Sequence, residues 1–151
     1  MGHELYPYLY DLLIAVGYGL ILPAVAVMHV RHRRMRDSGT ILGTIAGTAV
    51  VAIGLVGSVN VDLRVAALFV LGMWWWTIGK MWVETGVPPR ELGWLTATLG
   101  VLALIGTFLE SANILAAIVP GYPDIGVWDL GHIALGLWLI AVAFVLARPE
   151  G

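Results

Sequence analysis

At 151 residues, with 60% hydrophobic residues, 12% charged, no cysteine and a mean hydropathy of +0.90, the chain departs far from a soluble composition. Soluble domains carry about 25% charged and about 45–50% apolar residues, so this is the make-up of an integral membrane protein. It excludes a disordered chain, a basic nucleic-acid binder, and chemistry built on disulfides, thiol nucleophiles or cysteine-held metal.

The N-terminal sequence Met1-Gly2-His3-Glu4 leads into Tyr6, Tyr8, Tyr10 and Asp11 without a Lys or Arg. A cleavable signal needs a basic leading region, so the first apolar segment is expected to stay in the protein. A transmembrane helix needs roughly 20 apolar residues to cross hydrocarbon about 30 Å thick. Five segments qualify: 12–30, 40–58, 65–83, 92–119 and 130–147. The first stops at the basic run Arg31-His32-Arg33-Arg34-Met35-Arg36, and Pro23 within it should bend the helix. The third is ended by Glu84, Gly86 and Pro88-Pro89. The fourth would be about 40 Å as one straight helix. It therefore tilts or breaks after Glu110, with Ser111 to Pro120 lying at the interface. Backbone amides in hydrocarbon must be satisfied internally, and the spacing is helical, so helices are strongly favoured over a barrel. The expected fold class is all-α: a single polytopic membrane domain over residues 1–151, with five transmembrane helices.

Placing the basic run inside gives an N-out, C-in topology in the cell membrane. Seven of the eight basic residues then lie inside, with only Arg64 outside, and six of the ten acids lie outside. The basic run reads first as this orientation signal, with contact to anionic lipid or a partner as the alternative.

Helix two carries Gly39, Gly43 and Gly47 at four-residue spacing, followed by Gly54 and Gly57. Small residues at this spacing let helix backbones approach closely in lipid. The seam lies either inside the chain or between copies. Helix three holds Trp74-Trp75-Trp76 near its centre, and Trp138 sits on helix five. Successive residues are about 100° apart, so the three rings cannot share one face. These indoles read as filling against glycine-rich neighbours, or as an aromatic wall around an apolar ligand such as an isoprenoid, quinone or lipid tail. Trp82, Trp94 and Trp128, with Tyr6, Tyr8 and Tyr122, are assigned to the interfacial belts.

Ionisable groups in hydrocarbon cost several kcal/mol unless paired or hydrated, which makes them informative. Helix four repeats Thr96, Gly100, Ala103, Thr107 and Glu110 at four-three spacing, a small polar stripe ending in a carboxylate. Helix one repeats the spacing with Asp11, Ala15, Tyr18, Leu22, Val25 and His29. On helix five, Asp129 and His132 share a face, where the acid is placed to orient the imidazole. Counting depth from each midpoint brings Glu110, His132, Asp129, Arg64 and Asp11 toward one outer cluster. His29 falls at the opposite end and cannot share a haem with His132. The cluster holds the helices in register, with Arg64 or His132 as partner to Glu110, or else it is a ligand, proton or cation site. Lys80 and Glu84 form a surface anchor pair.

There is no zincin motif, Walker loop or nucleophile elbow, so no catalytic residue, metal or cofactor is expected. The stretch Pro89-Arg90-Glu91-Leu92-Gly93-Trp94-Leu95 resembles the Pro-Arg-x-Leu-Gly-Trp-Leu helix start of prokaryotic multi-pass membrane proteins. The likeness covers helices four and five and implies no activity. The functional expectation is a structural or accessory subunit of a homo-oligomer or larger membrane complex. Binding or transport of a small hydrophobic molecule, proton or cation is the alternative, and a membrane enzyme acting on a lipid or isoprenoid is the third reading.

Overall fold

In the computed structural model, residues 5–33, 37–60, 63–112, 114 and 126–147 are described. The elements are α1 (Leu5–Gly19), α2 (Ile21–His32), α3 (Asp37–Val59), α4 (Arg64–Thr85), α5 (Arg90–Ser111) and α6 (Val127–Leu146). The described residues contain no strand. Five helical segments are long and apolar enough to cross a membrane: Tyr8–His32, Ser38–Val59, Arg64–Thr85, Arg90–Ser111 and Val127–Leu146.

The helix boundaries follow from local chemistry. The first segment is two helices because Pro23 has no N–H for the Gly19 carbonyl. Leu20 leaves the helix there, although its own N–H still reaches the Val16 carbonyl at 3.0 Å. α4 ends at Gly86, whose φ of 67° is the left-handed region that favours glycine. The Gly86 N–H closes the last turn on the Trp82 carbonyl at 2.8 Å. α5 begins directly after Pro89 and ends at Ser111. Most of the stretch expected to lie at the interface, and the belt residue Tyr122, fall outside the described residues.

Helices this apolar would lose the usual hydrophobic drive between them in hydrocarbon, where close packing and interhelical hydrogen bonds hold a bundle. α4 and α5 form the closest pair. A Cβ at Gly79 would fall on the Ala97 backbone, and one at Gly93 would lie 2.8 Å from the Val83 nitrogen. Gly72 and Gly100 meet in the same way one heptad further along, with Gly72 facing the Gly100 carbonyl. This seam was not singled out from sequence. The α3 glycines form a second seam inside the chain: Gly47 packs on Val25 and Trp74, Gly54 on the Tyr18 ring, and Gly57 on Ala67.

α6 is joined to the bundle differently, by aromatic rings. Trp74, Trp75, Trp82 and Trp138 are all fully buried. The Trp138 ring lies edge-on to Trp74 at 5.3 Å and stacks on Trp82 at 6.1 Å. Its Nε1–H donates to Thr96 Oγ1 at 2.9 Å, and Thr96 donates on to the Leu92 carbonyl. Trp74 Nε1–H donates to the Gly43 carbonyl at 3.0 Å. Trp82 therefore belongs to the core and not to the interfacial belt. Its depth suggested the belt, but its place on the buried face of α4 decides the matter. Trp76 points the other way and is 43% exposed.

On the first segment the buried row is Ile14, Tyr18, Ile21, Val25, Met28 and His32. Leu22, expected on this stripe, is exposed. His32, read as part of the basic run, is buried. The stripe on α5 does face inward: Thr96, Gly100, Ala103 and Thr107 are all buried.

Candidate functional site

The alternating spans gather Asp11, Arg64, Glu110 and Asp129 at one end of the bundle, the acidic end. His29, Arg31 and His32 lie at the other, the basic end. Two residues at the acidic end oppose their own helix dipole. Arg64 opens α4 and Glu110 lies in the last turn of α5, so each like-signed contact costs about 0.3–1 kcal/mol. Arg64 gains instead from groups on other helices. Arg64 Nη2 lies 3.8 Å from Asp11 Oδ1, with both side chains about a third exposed, a contact worth at most about 1 kcal/mol. The guanidinium also sits 5.8 Å from the centre of the Trp128 ring.

Asp129 occupies the first turn of α6, where a carboxylate suits the dipole. It accepts the Gly126 N–H at 3.0 Å and the hydroxyl of Tyr10, across 119 residues of sequence. The expected Asp129–His132 pairing is therefore not formed. His132 Nδ1 donates to the Trp128 carbonyl at 2.7 Å, the neighbour one helical turn back. In the neutral ring this leaves Nε2 as a lone-pair acceptor.

Trp128, assigned to the belt from its position, is buried instead. Its ring lies edge-on to His132 at 4.1 Å and stacks near Tyr18 at 6.4 Å, while Tyr18 meets His132 at 5.5 Å. Tyr18 is admitted to this depth because Gly54 has no side chain to occupy the ring's place. The sequence signal for Tyr18 was its place on the helix-one stripe. No signal marked Trp128, since its burial depends on α1, α3 and α4 closing around it.

A cavity of about 280 Å³ opens beside these rings, walled by Arg64, Glu110, Asp129, Trp128 and Thr107 and by the apolar Val65 and Leu68. Arg64 Nε and Trp128 Nε1 are buried without a hydrogen-bond partner among the described residues. So are Tyr18 Oη and His132 Nε2, which lie behind Trp128. The structure thus brings Asp11, Arg64, Glu110 and Asp129 to one end and adds Tyr10, Tyr18 and Trp128. His132 joins through the aromatic cluster and not through the cavity wall. Of the expected indole wall, Trp74, Trp75 and Trp138 pack against one another between the two ends, and Trp76 does not join them.

At the basic end, His29 Nδ1 donates to Thr44 Oγ1 at 2.8 Å, and Thr44 donates to the Thr40 carbonyl. His32 Nδ1 donates to the Met28 carbonyl at 2.9 Å. His29 and His132 are therefore at opposite ends with separate partners. No group of three or more His, Asp or Glu residues with metal-binding geometry occurs among the described residues.

The chain matches no protein-family model, and no curated protein or solved structure shows significant similarity to it.

Proposed function

We propose that the protein is a membrane-embedded binding protein that takes a small molecule with a cationic head at its acidic end. The observation that carries this reading is the cavity walled by Arg64, Glu110, Asp129 and Trp128, with buried polar atoms unpartnered on and behind its wall. A buried donor left unmade costs about 1–3 kcal/mol, and Arg64 Nε–H and Trp128 Nε1–H on the wall are both donors, so a ligand that also carries an acceptor would gain here. Two carboxylates on the wall, Glu110 and Asp129, against one guanidinium leave the site net negative, which favours a cationic head, while Val65 and Leu68 suit an apolar body. Trp74, Trp75, Trp82 and Trp138 close the interior between the two ends, which supports binding over free conduction. The orientation in this reading is N-out and C-in in the cell membrane, from the placement of the basic residues, so the site faces outward.

Calorimetric titration of the solubilised protein with benzyltrimethylammonium and its neutral isostere neopentylbenzene tests the reading. The cation should bind more tightly, and Glu110→Gln and Asp129→Asn should each weaken it about tenfold, while leaving the helical circular dichroism unchanged. Equal binding of the two probes, or no loss in either variant, rejects it.

A second reading, an accessory subunit of a homo-oligomer or larger membrane complex, is favoured by the outer face of α6. Leu130, Ile133, Leu137, Ile140 and Phe144 recur at three-four spacing and are all more than half exposed. Native mass spectrometry from nanodiscs separates the two readings: a monomer that binds the cation supports the first, and a stable assembly that does not bind it supports the second.

A further inference from the structure

Two donors at the acidic end are left over by the fold. Arg64 Nε and Trp128 Nε1 are buried without a hydrogen-bond partner among the described residues, and both residues wall the cavity of about 280 Å³. Trp128 is only 9% exposed. The contacts that Arg64 makes leave its Nε–H open, since Asp11 lies 3.8 Å from Nη2 and Trp128 meets the guanidinium with its ring. An indole N–H and a guanidinium N–H can only donate, so an acceptor alone answers them.

The two donors are close enough for one acceptor group. The guanidinium carbon lies 5.8 Å from the centre of the Trp128 ring, and hydrogen bonds of about 2.9 Å to each side span a gap of this size. Two effects favour a carboxylate over a neutral carbonyl. Charge-assisted bonds are roughly twice as strong as neutral ones. Arg64 also opens α4 and Trp128 lies in the first turn of α6, where both helix dipoles favour negative charge.

The acids of the wall answer a different part of the ligand. Trp128 and Asp129 are consecutive on α6 and leave it about 100° apart, so indole and acid approach the cavity from different directions. A guanidinium beside a site for a bare cation only repels it, whereas across a zwitterion it is complementary. At about 280 Å³ the cavity falls just below the usual range of about 300–1,000 Å³ for ligand pockets, a size for an amino acid rather than a lipid.

We infer that the ligand of the acidic-end cavity is a zwitterion of the amino-acid or betaine class, its carboxylate received by Arg64 Nε–H and Trp128 Nε1–H and its ammonium by Glu110 and Asp129. The inference rests on the cation site proposed above and adds a second pole to it.

Calorimetric titration of the full chain in micelles with N,N,N-trimethylphenylalanine and with phenethyltrimethylammonium, which lacks only the carboxylate, tests this. The zwitterion should bind about tenfold more tightly. Trp128→Phe keeps an aromatic ring without the N–H and should reduce that ratio to about threefold or less, and Arg64→Met, which removes donor and charge together, should bring it to about one. Equal binding of the two probes by the wild type, or an unchanged ratio in either folded variant, overturns the inference and leaves the cation site standing. The cation site fails separately, and takes this inference with it, if benzyltrimethylammonium binds no better than neopentylbenzene.

Discussion

The α4–α5 pair and the attachment of α6 are opposite solutions to the same problem. Lipid would supply no hydrophobic drive between helices, and α4 and α5 gain by bringing small residues into register, Gly79 against Ala97 and Gly72 against Gly100, until backbone touches backbone. Such an interface leaves no room for anything else. α6 is instead held by large rings at mid-height and by polar contacts at its two ends, Tyr10 to Asp129 and Arg31 to the Leu146 carbonyl. Rings packed at an angle leave gaps beside them. Both the acidic-end cavity and a groove toward α2 border α6, and neither borders the glycine seam. Close packing and open space thus fall at different places in the bundle, set by the size of the side chains between the helices.

The contrast is broken most directly by filling a glycine on each side of it. Gly79→Leu drives a side chain into the α5 backbone and should abolish folding or cost more than about 4 kcal/mol, read as the midpoint of denaturant unfolding in micelles. Gly136→Leu, on α6, meets nothing within 4 Å of its Cβ and should change stability by less than about 0.5 kcal/mol. If the two variants behave alike, the seam is not what holds α4 to α5.

Removing the ring that anchors α6 should come next. Trp138→Ala deletes its aromatic contacts and the bond to Thr96, for a loss of about 3–5 kcal/mol, whereas Trp76→Ala should lose less than about 1 kcal/mol because its ring faces outward. The same melts, followed by tryptophan fluorescence, compare them.

The smallest effect on stability is the most informative about the site. Tyr18→Phe removes a buried hydroxyl without a partner among the described residues, so the unliganded protein should keep its midpoint within about 0.5 kcal/mol. Cation binding at the acidic end should change less than about twofold, since the hydroxyl lies behind Trp128 and not on the cavity wall. A clear drop in stability would mean instead that the hydroxyl already serves the fold.

Much of the architecture is legible in the residues alone. Long apolar stretches in hydrocarbon must be helical to satisfy their own amides, and the four-three stripe from Thr96 to Glu110 told which face of α5 turns inward because the helical period is fixed. The bend near Gly19 followed from the missing N–H of Pro23. The charge pattern likewise brought Asp11, Arg64, Glu110 and Asp129 to one end, since each sits at the matching terminus of its span.

Partnership across the bundle was decided only in three dimensions. Asp129 has His132 one turn away on its own helix, yet it takes the hydroxyl of Tyr10 from the far end of the chain, while His132 turns to the Trp128 carbonyl. Depth along the chain placed Trp82 and Trp128 at the interface, but burial depends on which helices close over a face: α6 covers Trp82, and α1, α3 and α4 surround Trp128. A glycine records that a backbone can be approached, not by what. Sequence periodicity specifies the inward face of each helix, and the mutual fit of those faces specifies what meets there.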